Sequence, residues 1–210
     1  MKGQAMHGPR VVARAPMRTV RPADLSQVYA QPRVRVRDLE ARGVLHRLAH
    51  GYYCAVPLEF DAGSWRPSLE AAAAGIATAV FGDRVPVLMG KSAARVHRAL
   101  PRAGAQAWVA VPRAHRPIKL VDRDAVVRFV RRDVARLDAT LVSTDLGQAL
   151  ATTVEQTVLD LARSDPRLVD LDTQEAIGAL LPVCDRQVLG RLAGQQRMRA
   201  TLRRLEGVLR

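Results

Sequence analysis

Arginines crowd one short stretch of the chain, at a spacing that suits contact with DNA. Residues 33–42 contain four of them, Arg33, Arg35, Arg37 and Arg42. A guanidinium group binds two atoms of a guanine edge at once or clamps a phosphate, so helices that enter DNA grooves favour arginine. Arg33 and Arg37 are one helical turn apart and share a face if this stretch is a helix. The sequence therefore offers a candidate DNA-contacting face.

The elements around these arginines follow the order of a winged helix-turn-helix. Val36 and Leu39 are spaced to face a core, which predicts a helix over 33–42, and Gly43 ends it in the usual position. Two short strands, VLHRLA and YYCAVP, then turn at His50-Gly51. In such a fold the helix enters the major groove and the hairpin lies on the flanking backbone. The alternative is an arginine-rich solvent face on a small helical hairpin.

We therefore expect residues 1–60 to form a winged-helix DNA-binding domain. The expected contacts are side chains of the helix, the hairpin and the segment before them: Arg18, Arg21, Arg33, Arg35, Arg37, Arg42, Arg47, His50 and Tyr52. The sequence does not decide which of them reads a base and which holds a phosphate. Residues 1–17 lack a clear period and predict a loosely ordered arm, whereas residues 21–29 predict a short helix.

No catalytic set stands out, and we expect neither a metal site nor a cofactor. Gly90-Lys91-Ser92 resembles the end of a phosphate-binding P-loop, but the motif requires glycine where Val85 stands. Ser92 is interpreted instead as a helix N-cap. His97 and His115 lack acidic or cysteine neighbours at the spacing of metal ligands.

The cysteines and aspartates do not suggest a catalytic or metal site either. Cys54 and Cys184 are too far apart in sequence for a disulfide framework or a zinc site. Asp122, Asp124 and Asp133 alternate with arginines, which indicates a mixed-charge face rather than paired catalytic carboxylates.

The chain as a whole is strongly basic. Its 210 residues include 33 Lys and Arg against 20 Asp and Glu, a net charge of +13, and only three of the basic residues are lysine. Such a balance attracts nucleic acid or an acidic partner, although abundant arginine and alanine also indicate a GC-rich genome. No apolar run is long enough to span a bilayer and no signal peptide is visible, so we expect a cytoplasmic protein without membrane contact.

Beyond residue 60 the pattern predicts a small mixed α/β domain over 61–165, followed by C-terminal helices over 166–210. Helices are predicted over residues 68–81, 92–100, 153–163, 169–181 and 185–209. Strands are predicted over residues 85–88, 108–111, 126–130 and 139–142. Residues 58–67 are typical of a linker. The expected fold class is therefore α/β (α+β).

The last predicted helix is unusually basic. From residue 186 onward the chain has seven arginines against one glutamate. A solvated helix usually mixes both signs of charge, so we expect a surface that binds a partner. Its residues would be Arg191, Arg197, Arg199, Arg203 and Arg204. The alternative is a solvated amphipathic helix that covers the core.

Four segments resemble one protein family. RGVLHRLAHGYYCAVP (42–57) resembles the Arg-Gly-x-Leu … Gly-x-Tyr … Pro run of AbiEi-like type IV antitoxins. KSAARVHRAL (91–100) resembles their Ser-Ala-Ala-x-x-His-Gly-Leu helix, with Arg98 in place of the glycine. WVAVPR (108–113) resembles their strand ending in Pro-Arg, and TTVEQTVLDLAR (152–163) resembles a further helix. Order and spacing agree across residues 18–165, and within that family the chain resembles the mycobacterial MenA antitoxins.

The resemblance implies a two-part protein. The winged helix would bind inverted repeats at its own promoter, which would place a homodimer on operator DNA, and would repress transcription. The C-terminal domain would neutralise a co-expressed nucleotidyltransferase toxin of the AbiEii/MenT kind. Those toxins modify RNA at an acidic, metal-binding active site, which a basic antitoxin complements.

Two other functions remain open from the sequence. The antitoxin could act as an atypical protein kinase that phosphorylates the toxin, for which Lys91 and Ser92 are the only suggestive residues. The chain could also be a plain winged-helix transcriptional regulator whose C-terminal domain senses a ligand.

Overall fold

Two β-sheets and the helices packed on them form a mixed α/β fold. The computed structural model describes residues 7–60, 63–101, 104–165 and 167–208. The α-helices of these residues are α1 (His7–Arg14), α2 (Pro32–Ala41), α3 (Leu69–Phe81), α4 (Gly90–Val96), α5 (Val154–Ser164), α6 (Leu171–Leu180), α7 (Arg186–Gln195) and α8 (Arg199–Val208). The strands are β1 (Thr19–Val20), β2 (Leu45–Ala49), β3 (Tyr52–Ala55), β4 (Val87–Leu88), β5 (Gln106–Val111), β6 (Ile118–Lys119), β7 (Val126–Arg131), β8 (Ala139–Thr144) and β9 (Gly147–Thr152).

The smaller sheet has the strand order β1-β3-β2, with β1 before α2 and the β2–β3 hairpin directly after it. α2 begins at Pro32, whose missing N–H costs nothing in a first helical turn, and it buries Val36 and Leu39. Gly43 follows the helix with φ 70° and Gly51 turns the hairpin with φ 81°, both in the left-handed region that glycine tolerates. The predicted helix and hairpin are therefore present.

Two expectations for the N-terminal segment are wrong. Residues 7–14, expected to belong to a loose arm, form α1 with Val12 fully buried, while residues 1–6 lie outside the described residues. Pro9 stands in the first turn of α1 and Pro16 after its end, so neither interrupts the helix. The short helix expected over 21–29 is only a 3₁₀ turn, Pro22–Leu25.

The larger sheet is mixed, with the order β6-β7-β5-β4-β9-β8. β4 runs parallel to β9 and antiparallel to β5, and β5 runs parallel to β7. All four predicted strands are present, whereas β6 and β9 were not predicted. Ser92 is not the N-cap of α4: it lies inside the helix, fully buried, and its Oγ accepts the Trp108 N–H at 3.0 Å.

Helix α5 packs against β9 of this sheet, and α6, α7 and α8 pack on α5. Side chains cap three of them: Thr153 caps α5, Asp170 caps α6 and Asp185 caps α7. The single helix predicted over 185–209 is instead two, because the chain turns between Gln195 and Arg199. No helix in the described ranges is long and apolar enough to cross a bilayer.

The small sheet shares a core with the elements that follow residue 60. Met17, Leu48 and Cys54 pack in one buried cluster with Ala72 and Ile76 of α3. Ala49 forms an isolated antiparallel bridge with Leu120. At Gly75 the contact is so close that an added Cβ would lie 2.3 Å from Thr19 Oγ1. The two sheets are therefore joined through α3.

Candidate nucleic-acid interface and arginine cleft

The exposed face of α2 presents two of the predicted DNA contacts. Arg33 and Arg37 are both exposed, and neither makes an ion pair with any residue that the structure describes. Val34, which lies between them in sequence, is 52% exposed. Two unpaired guanidinium groups one turn apart can bind adjacent phosphates or a base edge.

Arg35, predicted for the same role, has partners within its own region. Its Nη1 donates to Asp38 Oδ2 at 2.6 Å, and its guanidinium lies 5.6 Å from the centre of the Tyr29 ring. Arg42, more exposed, approaches the same Asp38 carboxylate at 3.7 Å. Arg35 therefore serves to fix α2 against the preceding turn.

The segment before α2 holds Arg21 beside the hairpin. Arg21 Nη2 donates to Asp24 Oδ1 at 2.8 Å, and its backbone N–H donates to Asp24 Oδ2. A shallow groove brings Arg21 and Arg33 together next to the hairpin turn at Gly51. Arg18 is exposed just before β1. Arg21 and Arg33 thus lie on one surface, although their positions in sequence are twelve residues apart.

The hairpin side chains largely contact one another. Arg47 Nη2 donates to His50 Nδ1 at 2.7 Å, and the Arg47 guanidinium lies 5.9 Å from the centre of the Tyr53 ring. Tyr52 is half-buried, and burial raises the pKa of its hydroxyl. Of the predicted hairpin contacts, His50 is the most exposed.

A buried carboxylate that the sequence did not single out joins the hairpin to the larger sheet. Asp122 was interpreted as part of a mixed-charge face, but its side chain is only 7% exposed. Its Oδ2 accepts hydrogen bonds from His46 Nε2 at 2.8 Å and from Arg123 Nη2 at 2.9 Å. Burial alone would raise the pKa of Asp122, but these hydrogen bonds outweigh it and lower the pKa to about 2. The pair of donors therefore keeps Asp122 ionised.

A second basic site lies far along the chain, in a cleft of about 750 Å³ between the loop after β7, α5 and the end of α7. We call it the arginine cleft. Five arginines and two aspartates, Asp133 and Asp138, are among its lining residues. The arginines are Arg132, Arg136, Arg163, Arg191 and Arg197.

A buried polar network anchors one side of the arginine cleft. Arg132 Nη1 donates to Asp160 Oδ1 at 3.2 Å, and the Asp160 side chain is fully buried. Burial raises the pKa of Asp160, and the adjacent Arg132 guanidinium offsets this only in part. Gln156 donates to the same Asp160 oxygen and pairs with Gln196. Arg132 is thus held in place, which limits the entropy that it loses on binding an anion.

The backbone at Arg197 is strained in a way that favours glycine. Arg197 has φ 58° and follows the C-cap residue of α7, and the Met198 N–H returns to the Ala193 carbonyl at 2.7 Å. Glycine is the usual residue at this point of a helix end. An L-residue in the left-handed region costs about 1–2 kcal/mol.

The region that contains the arginine cleft matches a known protein family. Residues 85–209 match the family model for the AbiEi antitoxin C-terminal domain, which is more than half of the chain. The chain belongs to the AbiEi antitoxin family. The match spans β4 to β9 and α4 to α8, and leaves α1, α2 and the small sheet outside it.

A crystal structure of the RV2827C protein from Mycobacterium tuberculosis has a similar fold. The two share 21% sequence identity with a TM-score of 0.56, over 91% of this chain and 71% of that one. No curated protein matches the sequence. The similarity extends across most of this AbiEi-family chain and supports the arrangement of its elements.

In this AbiEi-family chain the five arginines predicted to bind a partner divide between two places. Arg191 and Arg197 line the arginine cleft. Arg199, Arg203 and Arg204 lie on α8, where Arg203 is exposed and Arg204 Nη2 donates to Thr201 Oγ1 at 3.5 Å. Sequence reasoning missed Arg132, Arg136 and Arg163, because they come from other segments and meet α7 only in the folded chain.

The residues that suggested a kinase in this AbiEi-family chain have structural contacts. Lys91 Nζ lies 2.7 Å from Asp170 Oδ2 and 3.3 Å from Asp172 Oδ2.

The two histidines considered as metal ligands also have structural contacts. His97 Nε2 donates to the Thr152 carbonyl at 2.7 Å, and the His115 ring packs edge-on against Phe129. Within the described residues no group of three or more His, Cys, Asp or Glu side chains could hold a metal ion.

Proposed function

We propose that this chain neutralises a nucleotidyltransferase toxin by binding it, and represses its own operon by binding operator DNA as a winged helix. The match of residues 85–209 to the AbiEi antitoxin C-terminal domain is the observation that carries the proposal. The net charge of +13 supports both roles, because operator DNA and an acidic toxin active site attract a basic protein.

The DNA-binding part of the proposal is residues 1–60. Their order of helix, short strand, helix and hairpin supports a winged helix, with α2 as the helix that enters the major groove. Arg33 and Arg37 are the proposed groove contacts, since both are exposed and unpaired within the described residues. Arg18, Arg42 and His50 would hold flanking phosphates. Arg21, Arg35, Arg47 and Tyr52, whose contacts lie within the region, would position them.

The toxin-binding part of the proposal is the basic surface of α7 and α8. It contains Arg191, Arg197, Arg199, Arg203 and Arg204. α8 buries Leu205 in the core and leaves Arg199 and Arg203 exposed, so its basic face is free to meet a partner without unfolding. A basic helix face favours an acidic partner both in encounter rate and in specificity.

The DNA contacts are tested with Arg33→Ala plus Arg37→Ala in the full chain. We expect operator affinity to fall at least tenfold. The slope of log affinity against log salt should flatten by up to about 2, because two cations that displace counterions from DNA are lost. Gel shifts at four salt concentrations measure both. Arg203→Ala, on α8, is the control and should leave operator binding unchanged.

Toxin neutralisation is tested by growth of cells that express the gene adjacent to this one. We expect the full chain and the Arg33→Ala/Arg37→Ala variant to restore growth. The variant Arg199→Ala/Arg203→Ala/Arg204→Ala should restore it poorly while still shifting operator DNA. The full chain is used because residues 1–60 share a core with α3.

Two results would contradict the proposal. A harmless adjacent gene would remove the antitoxin role and favour a plain regulator. Unchanged operator binding by the Arg33→Ala/Arg37→Ala variant would remove α2 as the DNA contact.

A further inference from the structure

We propose that the arginine cleft binds a run of adjacent phosphate groups, presented by a nucleoside triphosphate or by a nucleic-acid strand. The site is separate from α2 and shares only Arg191 and Arg197 with the proposed toxin-binding surface. It goes beyond the proposed function, since phosphate binding requires neither operator DNA nor a toxin. The charge of the cleft, the chemistry of its lining and the backbone at Arg197 support phosphate binding.

The arginine cleft keeps an excess of positive charge, since its five arginines face only two lining carboxylates, Asp133 and Asp138. Arg136, Arg163 and Arg197 make no ion pair with any residue in the described part of the chain. Arg132 is paired with buried Asp160, which fixes its guanidinium at one side. Several forked cations that outnumber the carboxylates around them form a site for an anion with several oxygens.

The remaining lining favours phosphate over other anionic ligands. Among the described residues that line the cleft, the apolar side chains are Ala135, Leu137 and Leu192, and no aromatic ring is present. A protein partner usually inserts an aromatic or aliphatic anchor into an apolar pocket, and base recognition usually needs a ring for stacking. With about 750 Å³ the cleft has room for several phosphates in a row.

The backbone at Arg197 supplies an independent reason to assign a function to this site. A residue held in an unfavourable conformation is a signal of function when it lies in a cleft. Arg98 has a similar positive φ after the C-cap of α4, but among the described non-glycine residues with positive φ only Arg197 lines the cleft. Glycine would relieve the strain and would also remove the charge.

Titration of the purified full chain with inorganic tripolyphosphate tests the proposal. We expect saturable binding that weakens with salt, and a loss of roughly tenfold for each of Arg163→Ala and Arg191→Ala, the effect of one charge-assisted pair of hydrogen bonds. Arg197→Gly should weaken binding similarly while raising Tm by about 2–4 °C. Loss of affinity in a protein that has become more stable separates binding from folding.

Two variants and three further ligands complete the experiment. Arg84→Ala and Arg116→Ala, at exposed arginines outside the cleft and outside both proposed binding surfaces, should bind tripolyphosphate like the unmodified chain. Tighter binding of ATP than of a single-stranded RNA hexamer would identify a nucleotide as the source of the phosphates, and the reverse order a nucleic-acid strand. Equal binding by the unmodified chain and the three cleft variants would overturn the proposal, as would a hexa-aspartate peptide that binds as tightly as tripolyphosphate.

Discussion

The charged side chains of this protein fall into those that are paired within the fold and those that are not. Arg35 and Arg21 are paired with Asp38 and Asp24, whereas Arg33 and Arg37, on the same region, are unpaired within the described residues. All four are arginines within one short stretch, so residue type alone does not distinguish the paired arginines from the unpaired ones. Asp122 is the clearest paired residue, with two donors on one carboxylate oxygen.

Asp122→Asn should change how stability depends on pH. The folded pKa of Asp122 is about 2, below the value of about 4 for an unfolded aspartate. Its contribution of about 2 kcal/mol is therefore fully present above pH 4 and is lost as the pH falls towards 2. We expect the variant to be less stable by about this amount at pH 7 and to lack this loss in acid.

Urea unfolding at pH 7, 4 and 2.5 measures the effect. Asp124→Asn is the matched control, since that neighbouring side chain is 96% exposed and should show no change. Parallel stability profiles for the Asp122 variant and the unmodified chain would show that the carboxylate does not stabilise the hairpin junction.

Helix α3 is the element that connects the two sheets. Ser68 caps the N-terminus of α3, and the first ten residues of the helix, Leu69 to Thr78, are all buried. The small alanine side chains let the helix approach its neighbours closely. Gly75 faces Thr19 of β1 and Leu146 of the β8–β9 turn. The absence of a side chain there sets the distance between the small sheet and the helix.

Gly75→Ala should therefore destabilise the protein although alanine is the better helix former. The new Cβ would lie 2.3 Å from Thr19 Oγ1, which is itself bonded to the Met17 carbonyl and buried. We expect a net loss of about 1–3 kcal/mol from overpacking. Gly178→Ala on α6, where nothing lies within 4 Å, should instead gain up to about 1 kcal/mol. Thermal unfolding compares the two, and a gain at both positions would disprove the close packing.

Elements with strong local signals could be predicted from the sequence. Gly43 and the alternating strands predicted α2 and the hairpin, and Ser68 predicted the start of α3. β9 was missed because GQALAT has few β-branched residues, and its conformation is set by pairing with β4 and β8 on both sides. The break before α8 was missed because Arg197 occupies a position where glycine would have marked it.

The two candidate sites also differ in how far the sequence predicts them. The exposed arginines of α2 could be found from their spacing along one helix. The arginine cleft could not, because its residues come from the loop after β7, α5 and α7 and only the tertiary fold brings them together. Asp122 and His46, 76 residues apart, likewise gave no local signal.

The parts of the chain before and after residue 60 share one buried core, and exposed arginines lie on both. Met17, Leu48 and Cys54 pack against Ala72 and Ile76, so the region proposed to bind DNA contributes to the core of the rest. Repulsion at a net charge of +13 acts against this compact state.

Removal of residues 1–60 should therefore abolish cooperative folding of the remainder. The deletion exposes the buried, alanine-rich face of α3 to water, and exposure of this apolar surface is unfavourable. We expect the full chain to unfold in one transition and the fragment 61–210 to show a broad, non-cooperative change. Calorimetry and circular dichroism compare the two; a fragment with a sharp transition of its own would establish an independent C-terminal domain.

Cys54 lies at the junction of the small sheet with α3 and is fully buried, while Cys184 is only partly buried. Burial raises the pKa of both thiols to about 12, so neither reacts readily at neutral pH while the fold is closed. The accessibility of Cys54 in the native protein can therefore be used to measure local opening of the fold. The rate at which a thiol reagent labels Cys54 reports how often the small sheet separates from α3, and Cys184 in the same molecule calibrates the reagent.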